Sequence, residues 1–163
     1  MMTVRRNKDD SLVVVLPVDE AGLLQSLPER LRGILENPDF SDRCVRRLFP
    51  AAYTDPEKET EHRRLLGDYL LESKRQCLEA FEGTLRNSEI RRRKVEIQIT
   101  SEEFELWLGF INDIRILLGT ELDIRDDNWS LSFDPQHPRA DDLALLHYLS
   151  WLEECLLQAG AEP

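Results

Sequence analysis

Three cysteines, three histidines and a small polar island on an apolar helix are the side chains of this chain that could do chemistry. Cys44, Cys77 and Cys155 lie far apart and none belongs to a CxxC pair, so neither a zinc ribbon nor a disulfide framework is supported. Each falls on an apolar stripe, where a buried and inert thiol is the ordinary outcome. The sharper chemistry would be a redox switch, a Cys77–Cys155 or Cys44–Cys77 link. It needs two thiols within disulfide geometry, or one that is exposed and acidified. His62, His137 and His147 show no metal-ligand spacing with one another or with a cysteine. The Asp123–Asp134 segment lacks the alternating aspartates, the glycine and the late glutamate of a calcium loop. There is no glycine-flanked serine and no glycine-rich phosphate loop. The adjacent carboxylates Glu102-Glu103 and Glu153-Glu154 diverge on helices. No catalytic residue, metal or cofactor is assigned, and the chain reads as a non-enzyme.

The polar island is Asn112, Asp113 and Arg115, inside an otherwise apolar run from Ser101 to Gly119. Asn112 and Arg115 are one helical turn apart, on the same side. Buried polar groups need partners, and Asp113 is expected to reach a basic residue on a neighbouring long helix, such as Arg63 or Arg64. A pocket near Arg115, serving a ligand or a small enzyme, is the alternative.

The elements that hold these residues follow from periodicity. Phe104, Trp107, Leu108, Ile111, Ile114 and Leu118 form one helical stripe, and Thr100 with Glu103 has capping-box spacing. Gly119 fits a left-handed stop. A helix this apolar should be central, with others packed around it. Residues 1–10 are polar and expected to fray. Leu12–Leu16 and Val95–Ile99 read as strands that could pair, each leading into a helix. Asp19 is a candidate cap for a helix lined by Leu23, Leu24, Leu27, Leu31, Ile34 and Leu35, with a kink or restart at Pro28. Ser41 to Leu48 is a short helix with Phe40, Cys44, Val45 and Leu48 inward. Asp55-Pro56 opens a long helix to about Asn87, its buried edge running through Leu66, Tyr69, Leu70, Ser73, Cys77, Phe81 and Leu85. Trp129, Leu131 and Phe133 alternate as a short strand or extended lid. A last helix runs from Arg139 to about Ala159, with Gly160 as its stop. The expected fold is mainly α: an irregular bundle of four to five main helices with a small two- or three-stranded sheet, in one domain.

Charge narrows the function further. The chain has 163 residues and a net charge of −11. Residues 1–99 balance, with 18 basic and 18 acidic side chains, and residues 100–163 carry 3 basic against 14 acidic. That asymmetry disfavours direct DNA binding and favours a basic partner. The basic run Arg91–Lys94 is expected to pair with the chain's own acids. No apolar run is long enough to span a membrane and no export signal is visible, so a cytoplasmic location is the default.

Three stretches carry a resemblance: RRLFPAAYTDPEKETEHRRL from Arg46, WLGFINDIRILLGTELDI from Trp107, and DPQHPRADDLALLHYLSWLEECL from Asp134. In order and spacing they resemble an actinobacterial domain-of-unknown-function family, DUF2017, over roughly Leu12 to the end. The matching positions are Arg47, Leu48, Phe49, Pro50, Tyr53, Trp107, Asn112, Asp113, Arg115, Leu118, Gly119 and Trp151. Some members are labelled transcriptional or oxidative-stress regulators, a role tied to a cysteine pair four residues apart and to a sigma-factor partner. This chain has no such pair.

The expected function is therefore a non-enzymatic regulatory protein acting by protein–protein interaction, on the transcription machinery if the resemblance extends so far. Its interaction candidates are Asn112, Asp113, Arg115, Asp123, Asp126 and Asp127, facing a basic partner. A thiol redox sensor is the second reading and a ligand pocket near Arg115 the third. A homodimer is left open.

Overall fold

The computed structural model of the protein describes residues 1–125 and 134–161. Strands β1 (Thr3–Arg6) and β2 (Leu12–Pro17) lead into α1 (Val18–Glu36), α2 (Arg43–Leu48) and α3 (Pro56–Arg86). Strands β3 (Glu89–Arg91) and β4 (Lys94–Ile99) follow, then α4 (Ser101–Glu121) and α5 (Ala140–Ala161). The fold is mainly α with a small sheet, as the periodicity predicts.

The sheet is antiparallel in the order β1-β2-β4-β3, with Val14 opposite Ile97 at its centre. Val95, Ile97 and Ile99 point into the core while Gln98 faces out, the period-two alternation of a half-buried strand. Two further strands were not expected. Thr3–Arg6 is a paired edge strand and not a frayed end: Met2 is buried and Asn7 N–H donates to Ser11 O at 2.8 Å in the tight turn. β3 folds back through Arg92 and Arg93, both left-handed (φ 51° and 64°), a conformation that Asn-Gly usually supplies. The basic run Arg91–Lys94 is thus a hairpin tip. The carbonyl of Arg93 there accepts from Val18 N–H at 3.1 Å, at the start of α1, where no side chain caps the helix and Asp19 lies in the first turn.

α1 runs unbroken through Pro28, which is itself buried. Burial of Leu24, Leu27 and Leu31 outweighs the roughly 3 kcal/mol that an internal proline costs. Asp55 caps α3 by accepting from Glu57 N–H at 3.0 Å, with Pro56 in the first turn, as the Asp-Pro signal predicts. The lower half of α3 buries Cys77, Phe81 and Leu85, but Leu66, Tyr69 and Leu70 on its upper half are exposed and no part of the core.

α4 is the hub, with α2, α3 and α5 packed around it. Trp107, Phe110, Ile111 and Ile114 are fully buried, and Phe81 stacks on Phe110 with ring centroids 4.2 Å apart. Trp107 Nε1–H donates to Thr84 Oγ1 at 2.8 Å, which gives the buried indole its partner. The Thr100–Glu103 capping box is formed in both directions. The two glycine stops are not used. α4 continues past Gly119 to Glu121, and the left-handed residue is Asp123 (φ 56°). Gly160 lies inside α5, where an added Cβ would sit 2.9 Å from the Phe104 ring. The α3–α4 contact is equally close, since a Cβ on Gly109 would sit 2.9 Å from Cys77 Sγ. Among the described residues, no helix is long and apolar enough to cross a membrane.

Candidate anion site between helices α2 and α4

α2 is only six residues long, and its sequence explains which way it faces. Asp42 caps it by accepting from Cys44 N–H at 2.7 Å. Cys44, Val45 and Leu48 turn inward against α4. The remaining positions, Arg43, Arg46 and Arg47, then share the outer side at i, i+3 and i+4. Across from them, α4 presents Asn112, Arg115, Ile116, Gly119 and Thr120, which recur every three to four residues along one helical side. The turn after α4 adds Asp123 and Arg125. Together these residues enclose an open basin of about 720 Å³.

Among the described residues the basin carries five guanidinium groups and one carboxylate, in a protein whose net charge is −11. Asp123 is engaged by Arg125 at 3.3 Å. Arg115 Nη1 donates to Glu153 Oε2 at 2.5 Å, while its buried Nε finds no partner. Arg46 donates to the carbonyls of Ser41 and Phe40 at 2.9 and 3.2 Å, which fixes its plane. Among the described residues, Arg43, Arg46 and Arg47 have no carboxylate at ion-pair distance. Planar guanidinium forks suit carboxylate or phosphate oxygens, two hydrogen bonds at a time. Thr120, the hydroxyl in the basin, gives its proton to Ile116 O at 2.8 Å.

The predicted site residues separate. Asn112 and Arg115 line the basin. Asp113 turns the other way, nearly fully buried, and accepts from Lys74 Nζ at 2.7 Å. Its partner is on the expected long helix but two to three turns beyond Arg63 and Arg64, which pair locally with Glu59 and Glu61. Burial raises the Asp113 carboxyl above its ordinary value, and Lys74 only partly offsets this. Asp126 and Asp127, with the Trp129–Phe133 alternation, lie outside the described residues.

Among the described residues, several acids at this end are occupied by the chain's own cations. Besides the Asp123–Arg125 pair, Arg139 bridges Glu121 at 3.0 Å and Asp142 at 2.6 Å, and Arg30 reaches Asp142 at 3.1 Å. Among the described residues, the uncompensated charge lining the basin is positive, opposite in sign to the chain's total. Sequence reasoning missed the arginine row because a net charge averages over a surface. The usable signal was the i, i+3, i+4 spacing of Arg43, Arg46 and Arg47.

The three thiols are free. Burial raises all three above their ordinary value, with Asp42 and Glu121 adding to the effect at Cys44, Asp113 at Cys77 and Glu154 at Cys155. His62 meets Tyr53 edge-on at 5.6 Å, and His137 Nδ1 accepts from Arg139 N–H at 3.0 Å.

The family model described as "Domain of unknown function (DUF2017)" matches residues 1–160. The chain belongs to the DUF2017 family. Comparison with the curated proteins and with the solved structures returns no match.

Proposed function

We propose that this DUF2017 chain is a non-enzymatic regulatory protein that acts by contact, and that its arginine basin receives acidic side chains of a partner protein. One observation carries the reading: Arg43, Arg46, Arg47 and Arg115 converge on a basin in which the one carboxylate among the described residues is already engaged. Arg43, Arg46 and Arg47 are exposed cations of one sign held close together, and an incoming carboxylate relieves their mutual repulsion. The lining favours binding over bond-making, because its hydroxyl and its carboxylate are both committed to neighbours. Raised thiols make nucleophilic or redox chemistry a weaker reading. An acidic partner is the better match to this basin, because Asp113 and Asp123, the described members of the acids assigned to a basic partner, are paired internally with Lys74 and Arg125.

The test is fluorescence polarisation with a labelled oligoglutamate peptide, alongside an oligolysine control. Oligoglutamate should bind, weaken steeply with added salt, and lose about tenfold or more in affinity when Arg43, Arg46 and Arg47 are changed together to alanine. Preferential capture of oligolysine, indifferent to those changes, would refute the reading and restore the basic partner.

A further inference from the structure

A second groove, of about 560 Å³, lies between the residues that flank α2 and the upper half of α3. Its walls are Phe40 and Phe49 at the two ends of α2, Pro50, and Leu66, Tyr69 and Leu70 on the upper half of α3. These are the residues whose helical spacing predicts a buried edge, yet Leu66 is 50% and Tyr69 76% exposed. Leu65, next to Leu66 and also open to solvent, adds apolar surface beside the groove's lining. Apolar surface that spreads beyond a groove's walls marks a contact surface.

The two hollows are joined through one side chain. Arg46 lines the basin and donates to the carbonyl of Phe40, which lines the groove. The groove's charged rim is mixed. Arg63 lies over the Phe40 ring at 4.3 Å and His62 stands beside it. Glu59 is committed to the N–H groups of Ala52 and Tyr53 and to Arg63, and Asp68 is the remaining acid. The positive charge is therefore concentrated on the α2 side, and the apolar surface on the α3 side. Because Arg46 of the basin touches Phe40 of the groove, the two hollows adjoin, and a helix of about 16 residues, roughly 24 Å long, is long enough to contact both.

We propose that groove and basin form one composite dock for an amphipathic helix of a partner protein, its apolar face in the groove and a row of acidic side chains on Arg46 and Arg47. This rests on the acidic-partner reading and adds the form of the partner segment. Leu66, Tyr69 and Leu70 supply affinity, and the arginines fix direction and register.

The probe is a fluorescein-labelled synthetic helix of about 16 residues, with leucines along one face and glutamates along the adjoining edge. Two controls replace its glutamates by lysine or its leucines by serine. The full-length protein carries either Leu66→Gln with Tyr69→Gln, or Arg46→Ala with Arg47→Ala. All four changes are at exposed positions, and far-UV circular dichroism checks that helix content is kept. The expected result is a loss of about tenfold or more for each variant pair and for each control peptide. If the arginine pair weakens binding and the glutamine pair does not, the composite dock is wrong while the basin reading stands. If neither pair matters, both are wrong. A dimer in sedimentation velocity that the glutamine pair abolishes would make the occupant a second copy of the chain and overturn the proposal. So would stronger binding to phosphatidylglycerol vesicles than to the peptide.

Discussion

Changing Lys74 to methionine would leave Asp113 as a lone carboxylate between α3 and α4. The Asp113 side chain is only 4% exposed and that of Lys74 14%, so little water reaches either. Removing one member of a buried, hydrogen-bonded pair destabilises by about 3–5 kcal/mol, because the charge left behind is uncompensated. In a protein of this size that lowers the melting temperature by roughly 8–15 °C. Asp113→Ala should cost less, about 1–3 kcal/mol, because the long Lys74 stem can turn its ammonium outward. The double variant should return to within about 1 kcal/mol of the parent, giving a coupling of about 3–8 kcal/mol. Urea unfolding of the four proteins, followed by circular dichroism, measures the cycle. The pH dependence has a definite sign. Burial holds the Asp113 carboxyl above its ordinary 3.8, so the folded chain keeps this proton to a higher pH than the unfolded chain does. Its ionisation penalty is absent below 3.8, grows as pH rises and is complete above the folded value. Without Lys74 the folded value climbs further, and the Lys74→Met defect should shrink on going from neutral to mildly acidic solution. Single changes that simply add, with no pH dependence, would refute the reasoning.

Other expectations follow from the same packing. Thr84→Val removes the acceptor of the buried Trp107 indole and should cost about 1–3 kcal/mol in urea unfolding. Gly109→Ala gains up to about 1 kcal/mol of helix propensity but drives a methyl group into Cys77 Sγ, for a net loss of about 1–2 kcal/mol. In the double variant Gly109→Ala, Cys77→Ala that loss should largely disappear. Iodoacetamide in native buffer should label Cys155 slowly, and should reach Cys44 and Cys77 only after denaturation, as mass spectrometry can read.

Local signals were the legible ones. Thr100 with Glu103, Asp55 with Pro56, and the alternation over Val95–Ile99 each act within a few residues, and each formed as read. What failed depended on distant partners. Thr3–Arg6 has no apolar pattern of its own and is a strand because β2 offers it an edge. Gly119 and Gly160 have the spacing of stops, but α4 runs on to Glu121 and α5 to Ala161; Gly160 lies against the Phe104 ring, while Gly119 faces open space. Leu66, Tyr69 and Leu70 have core spacing yet are exposed, since among the described residues no element packs above the upper half of α3. The site was half visible: Asn112 and Arg115 were named, but Asp113 belongs to a different contact, and the α2 arginines emerge only once the short helix is docked.

The pairing of β2 with β4 also bears on how the chain is made. The apolar strand Leu12–Pro17 waits for Lys94–Ile99, about 75 residues later, before its second edge is satisfied. At ribosomal rates of ~5–20 residues per second, that is a delay of roughly 4–15 s. The hub helix that covers the sheet emerges later still. Through that interval a greasy ribbon of Leu12, Val13, Val14, Val15 and Leu16 stands open on a nascent polypeptide, and holding chaperones have their clearest target there.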